Sequence, residues 1–278
     1  MLTNFNDMLA AAYKGGYAIG SYNVYNYETM RGVVAAAEEN RTPAIVAFGY
    51  KYLENMSLDS AFCMLKCLAE ESSTPFCLHL DHCTDIPTIY RALKAGFGSV
   101  MYDGSALEYR INRQNTALVC DAAHACGASV EAELGSLAAG AHSHEGSADD
   151  REMYTDPAQA KDFVRFTGVD ALAVSIGTVH GVYKGKPNVR VDILREINAL
   201  LKMPLVLHGG SGTPEAAIRE CIKNGIAKIN INTEISMHAV AEIKSCLASS
   251  SPHLSALSLK QVEYVKYIVK KYMDFFRN

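Results

Sequence analysis

The chain is 278 residues long, 49% hydrophobic and 20% charged, with a formal net charge of −4. That balance excludes the basic surface a nucleic-acid partner would require, and no apolar run reaches membrane-spanning length. Eight cysteines without a CxxC pair, behind a start (MLTNFNDML) that lacks signal-peptide architecture, predict free thiols in a reducing cytoplasm rather than disulfides.

Apolar, strand-like runs fall at Tyr17–Tyr22, Ala44–Phe48, Phe76–Leu80, Ser99–Tyr102, Ser129–Glu133, Ala171–Ser175, Leu205–His208 and Lys228–Ile231. Helix-period stretches separate them near 27–40, 57–72, 86–95, 105–126, 157–167, 191–202 and 214–224, and another begins near Thr233. Eight strands, each followed by a helix, predict one (β/α)8 TIM-barrel domain over residues 1–278. An open doubly wound sheet is the alternative, and it lacks the GxGxxG turn expected after its first strand. Asp156-Pro157 and Thr213-Pro214 read as a helix cap followed by an N1 proline, and Gly168 and Gly225 as residues just past helix ends. Residues 136–153 are small and polar, long enough for a mobile loop. After a linker at 249–257, a C-terminal helix over 258–276 carries Leu259, Val262, Val265, Ile268, Val269 and Met273 at helical spacing, to pack on the barrel or on a partner subunit.

In such barrels chemistry gathers at the C-terminal ends of the strands. The third strand runs into His79-Leu-Asp-His82, the fourth into Asp103, the fifth into Glu131 and Glu133. His180 follows the sixth, His208 ends the seventh, and the eighth carries Asn230 and Asn232. Any one of these histidines is as readily a satisfied core residue. Three of them at successive strand ends suit a catalytic zinc site, which takes three neutral imidazoles and keeps one position open. The predicted ligands are His82, His180 and His208, with His79 deeper and facing the interior. The glycine turn His208-Gly209-Gly210-Ser211-Gly212 and the Asn230-Ile-Asn232-Thr233 segment occupy the usual phosphate position of this barrel, where backbone amides and a helix N-terminus favour an anion. Gly181 and Lys184, beside His180, add an amide and a cation.

As a set these residues resemble the class II, zinc-dependent ketose-bisphosphate aldolases, closest to the tagatose- and fructose-bisphosphate branch. The carrying motifs are His-Leu-Asp-His at 79–82, Val-Glu-Ala-Glu-Leu-Gly at 130–135, Tyr-Thr-Asp-Pro at 154–157, Ala-Val-Ser-Ile-Gly-Thr-Val-His-Gly-Val-Tyr-Lys-Gly at 173–185, Leu-His-Gly-Gly-Ser-Gly at 207–212 and Lys-Ile-Asn-Ile-Asn-Thr-Glu at 228–234. The resemblance implies reversible cleavage of a ketose 1,6-bisphosphate to dihydroxyacetone phosphate and an aldehyde, through an enediolate that zinc stabilises. It implies zinc on His82, His180 and His208, Asp81 as the proton-transfer residue, and Asp103 and Glu133 at a second or displaced zinc position. Gly181, Gly209, Ser211, Asn230, Asn232 and Thr233 match contacts to the dihydroxyacetone-phosphate half, with Lys184 near its phosphate. Some members add a monovalent cation, Na+ or K+, near the Gly181 and Gly209 carbonyls. The family also implies a cytoplasmic homodimer or homotetramer.

Two segments depart from the family pattern. Its loop after Val-Glu-Ala-Glu-Leu-Gly carries a glutamate that protonates the substrate carbon. Here the loop reads Ala138-Ala-Gly-Ala-His-Ser-His-Glu145, so Glu145 is the expected acid, with Asp149 and Asp150 as competitors and a solvated loop without a catalytic acid as the further alternative. After the second strand, Phe48-Gly-Tyr-Lys-Tyr-Leu replaces a small Ser/Thr-rich pattern. Both changes face the sugar side and leave the aldehyde half open beyond glyceraldehyde 3-phosphate. Two readings compete with an aldolase: another metal-dependent barrel enzyme (a hydrolase or phosphosugar epimerase), and a non-catalytic barrel that binds a phosphosugar.

Overall fold

The computed structural model describes residues 1–70, 72–142, 153–181, 183, 185 and 187–277. Eight of its ten strands close into a parallel barrel: β1 (Ile19–Asn23), β2 (Ala44–Gly49), β3 (Phe76–Cys83), β4 (Ser99–Tyr102), β5 (Ser129–Leu134), β7 (Ala171–Val174), β9 (Leu205–Leu207) and β10 (Ile226–Ile231), with β10 returning to β1. The other two, β6 (Ala138–Ala139) and β8 (Val179–His180), pair with each other beyond the ends of β5 and β7, with Ala139 opposite His180. The helices are α1 (Asn6–Gly15), α2 (Tyr27–Asn40), α3 (Leu58–Ala69), α4 (Ile86–Ala95), α5 (Tyr109–Ala125), α6 (Pro157–Thr167), α7 (Val191–Leu201), α8 (Glu215–Lys223), α9 (Thr233–Ser249) and α10 (Leu254–Arg277). This is the (β/α)8 barrel with an added C-terminal helix that the strand–helix alternation predicts. Among the described residues no helix is long and apolar enough to cross a membrane.

Side-chain alternation divides the strands into two faces. The outward residues, among them Val46, Phe48, Leu78, Leu80, Val130, Leu172, Val174, Ile229 and Ile231, belong to one large apolar cluster shared with the helices. The inward residues change character along the barrel axis. At the N-terminal end they are small and apolar (Ile45, Cys77, Ala171, Ala173, Val206, Ala227) and receive Phe5, Met8, Leu9 and Ala12 from α1 and its entry, which together form the barrel floor. α1 lies outside the strand–helix repeat, although apolar residues at 5, 8, 9 and 12 have the spacing of one helix face. Towards the C-terminal end the inward side chains become polar: Ser21, Asn23, His79, Asp81, Ser99, Glu131, Glu133, Lys228 and Asn230, all buried.

Local caps mostly follow the sequence. Asp156 accepts a hydrogen bond from the Gln159 amide at 2.7 Å, with Pro157 opening α6. The same pattern fails at Thr213-Pro214. Pro214 itself takes the cap position of α8, because the Thr213 hydroxyl is already donating to the Gly209 carbonyl at 2.8 Å and so ties down the glycine turn. The linker before the last helix is also shorter than expected. The His253 carbonyl accepts from the Ala256 and Leu257 amides, so α10 begins at Leu254. α10 packs closely on α2: a Cβ added at Gly32 would lie 2.7 Å from Cβ of Val265.

Candidate active site

Strand alternation alone would aim His82 away from the interior that His79 and Asp81 share. The backbone solves this locally. His82 takes a left-handed conformation, φ 49°, and the β3–β4 register shifts between Leu80 and Cys83. Such irregularities at strand ends re-aim side chains and cluster at functional sites. The imidazole thereby swings over the mouth of the barrel, where its ring centroid lies 5.0 Å from that of His180 and 4.5 Å from that of His208. One nitrogen from each of these three rings falls within 4.8 Å of the others, and so do His82, Asp103 and Glu133 as a second group.

His82 and His208 are oriented by carboxylates. His82 Nδ1 pairs with Asp103 Oδ2 at 2.8 Å, and the other Asp103 oxygen accepts from the Ser105 amide at 3.1 Å and hydroxyl at 2.6 Å. Burial would raise the Asp103 pKa, but the bonds to His82 and Ser105 outweigh it and keep the group well below the usual carboxylate range. His208 Nε2 meets Glu131 Oε1 at 2.8 Å, and its Nδ1 lies 3.3 Å from Glu133 Oε2. Burial and the His82 ring depress the His208 pKa, yet the two carboxylates prevail and lift it to about 9. A cation arriving between these groups would displace that proton. His180 ends β8, fixed in register by the Gly140 amide donating to its carbonyl at 2.6 Å. Burial first, and the facing rings second, push its pKa far down, so it is neutral. Buried, converging and oriented imidazoles are a donor set that suits zinc with an open position.

Beside the rings sits Asp81, fully buried. Asn23 Nδ2 donates to one of its oxygens at 3.0 Å and Asn230 Nδ2 to the other at 3.1 Å. Burial opposes its ionisation, but His82, Lys228 and His79 more than compensate and hold the carboxyl below its ordinary range. His79 lies deeper, with Nδ1 2.8 Å from Ser99 Oγ, and burial drives its pKa down to about 4. It is thus a neutral interior residue, as its depth in the strand predicts.

The glycine turn after β9 meets β8 and β10. Gly209 has φ 68°, and a Cβ there would come within 2.2 Å of the Val179 carbonyl. Only glycine therefore allows the turn to approach the strand bearing His180. Gly210 donates to the Asn230 carbonyl at 3.1 Å, and the Glu234 amide reaches the Ser211 hydroxyl at 3.3 Å. Thr233 begins α9, so Gly209, Gly210, Ser211, Asn232 and Thr233 gather at one helix N-terminus, with Gly181 following His180. Sequence reasoning gives no role to Asn23, Tyr25 or Lys228, and reaches Tyr52 only as part of the unusual segment after the second strand. Tyr25 donates to the Asn232 carboxamide oxygen, and the amide nitrogen of Asn232 donates to the Tyr52 hydroxyl at 3.1 Å. The signals were Asn23 at the end of the first strand and Lys228 at an inward strand position. Glu145, Asp149, Asp150 and Lys184 lie outside the described residues.

A sequence model of the class II fructose-bisphosphate aldolases matches residues 3–278. The chain belongs to that family. It is 38% identical over 241 residues to the sulfofructosephosphate aldolase of Alkalicoccus urumqiensis, covering 86% of this chain and 83% of the relative. It is likewise 38% identical over 257 residues to a probable fructose-bisphosphate aldolase of Bacillus subtilis, covering 89% and 87%. The crystal structure of the YdjI aldolase from Escherichia coli K12 superimposes with a TM-score of 0.89 at 34% identity, covering 99% of this chain and 97% of that one. This class II aldolase is accordingly a carbon–carbon lyase acting by aldol cleavage, and its family implies a phosphosugar substrate. The competing hydrolase, epimerase and non-catalytic readings fall with that assignment.

Proposed function

We propose that this aldolase reversibly cleaves a ketose 1,6-bisphosphate to dihydroxyacetone phosphate and an aldehyde, with zinc on His82, His180 and His208. The observation that carries this reading is the convergence of three imidazoles, two of them held by carboxylates, within 4.8 Å beside a buried carboxylate. Zinc held there would supply Lewis acidity toward the ketose carbonyl and its neighbouring hydroxyl. Asp81 takes the C4 hydroxyl proton as the C3–C4 bond breaks. Its two amide donors, Asn23 and Asn230, fix the carboxylate for that transfer and leave it ionised. Asp103 and Glu133, which converge with His82, offer a second or displaced metal position. Gly181, Gly209, Gly210, Ser211, Asn230, Asn232 and Thr233, with Lys184, bind the phosphate-bearing half, and a Na+ or K+ ion against the Gly181 and Gly209 carbonyls would assist. Glu145 returns a proton to the carbon of the departing half.

A second reading concerns the aldehyde half alone. Tyr52, in the segment after the second strand where a small Ser/Thr-rich pattern is expected, packs edge to face on Tyr25, which follows the first strand, with ring centroids 4.6 Å apart. A relative is named for sulfofructose phosphate. The changed segment after the second strand and the name of that relative favour an aldehyde half other than glyceraldehyde 3-phosphate. The test is a cleavage panel of ketose bisphosphates, monophosphates and sulfofructose phosphate, run with added zinc and with chelator. Release of dihydroxyacetone phosphate that chelator abolishes is expected. Turnover undiminished after complete metal removal would refute the zinc assignment, and the preferred substrate decides between the two aldehyde halves.

A further inference from the structure

Below the three imidazoles the barrel encloses an ammonium group that the aldol mechanism does not use. Lys228 is fully buried on β10 and points inward among the polar residues of the interior. Its Nζ donates to Asn230 Oδ1 at 2.7 Å and lies 2.8 Å from Glu131 Oε2. Each of these partners leads to a different functional group. The second Glu131 oxygen, Oε1, faces His208 Nε2 at 2.8 Å. The Asn230 amide nitrogen donates to Asp81 Oδ1 at 3.1 Å.

We infer that Lys228 is a positioning residue that sets His208 and Asp81 together. A carboxylate has only acceptors and an ammonium only donors. With Oε2 held against Lys228, Glu131 presents Oε1 to His208, and a carboxylate acceptor fixes the proton on Nε2. Once a metal ion displaces the proton on Nδ1, its lone pair is the one directed to the mouth of the barrel, beside Glu133 and the His82 ring. The second arm works through amide polarity. The Asn230 side chain presents an acceptor at one end and a donor at the other, and the ammonium allows only the oxygen to face it. The amide nitrogen is thereby committed to Asp81. A neutral side chain at position 228 would release both choices: Glu131 would be free to rotate, and Asn230 could flip and place its oxygen against the Asp81 carboxylate. One buried charge thus fixes the ligating nitrogen of His208 and the hydrogen bonding of the proton carrier. This rests on the zinc reading for the consequence at His208, but the proton location does not depend on it.

The test begins with the unmutated protein. Long-range 1H–15N correlation spectra of histidine-labelled protein, zinc-loaded and metal-free, should place a slowly exchanging proton on His208 Nε2 in both. A His208 whose Nε2 carries no proton overturns the inference, whatever becomes of the variants. Lys228→Met and Glu131→Gln should each weaken zinc, measured by competition with a chelator, by about 10–100-fold. The double variant, which removes both buried charges and so guards against misfolding of the single changes, should be no weaker than either alone. It should also alter the visible spectrum of the cobalt-substituted protein. At saturating zinc only Lys228→Met and the double variant should lower kcat, and raise KM as well, because only they release Asn230, which holds Asp81 and contacts the phosphate-bearing half. Native zinc affinity and an unchanged cobalt spectrum in folded Lys228→Met would refute the His208 arm, and native kcat would refute the Asp81 arm. If the unmutated protein bound no zinc, the proposed function would fall while the Nε2 proton still decided this inference.

Discussion

The two faces of the barrel strands are buried equally and built oppositely. Outside, Val46, Leu78, Val130, Leu172 and Ile229 meet the helices through apolar contact alone, each worth about 1.5–3 kcal/mol on burial. Inside, a few ångströms away on the alternate residues, His79, Asp81, Glu131, Glu133 and Lys228 are enclosed with charges facing one another. Buried ion pairs contribute little net stability, and removing one partner is severely destabilising. The difference teaches that the helix-facing layer holds the barrel closed, whereas the upper interior uses part of that stability to orient a site.

Mutations can break this division or sharpen it. The largest effect is expected inside: His208→Ala should lose bound zinc and cleavage together, as read by metal analysis and turnover. Retained zinc with retained activity would show the inner imidazole to be structural. Asp81→Asn should retain zinc while turnover falls by roughly 10²–10⁴-fold, the usual contribution of a positioned acid–base group; loss of zinc would instead make Asp81 part of the metal set. On the outer face Leu172→Ala should cost about 2–5 kcal/mol in denaturant unfolding and leave kcat per folded molecule intact. Smallest, Gly32→Ala should lower stability by about 1–3 kcal/mol by forcing α10 from α2. A change of KM in that variant would mean that the outer layer reaches the site after all.

The outer layer was the legible one. Apolar runs at regular spacing marked all eight strands and nearly all the helices, because burial against helices demands contiguous hydrophobic residues at those positions. The ring of polar residues at the strand ends was legible for the same reason, as it interrupts that pattern. Less visible was anything set by backbone geometry or by pairing across the barrel. His82 reaches its neighbours through a positive φ that no residue spacing encodes. Lys228 and Glu131 are separated by nearly a hundred residues, and neither alone announces that an ammonium and a carboxylate will meet. The floor helix α1 was passed over because it precedes the first strand and belongs to no strand–helix repeat. Thr213 resembled a cap because its use in the glycine turn depends on tertiary contact.

The way the barrel closes also bears on how the polypeptide is made. β1 finds one of its two neighbours in β10. The amide of Ala18, just before β1, donates to the Phe276 carbonyl at 3.2 Å, and Asn40, at the end of α2, donates to Asp274 at 2.9 Å. The β1–α2 unit pairs early with β2 but gains its other partners only when β10 and α10, far downstream in the chain, have been synthesised. In the interval the α2 face around Gly32 and one edge of β1 stay open, the kind of surface that chaperones hold during translation.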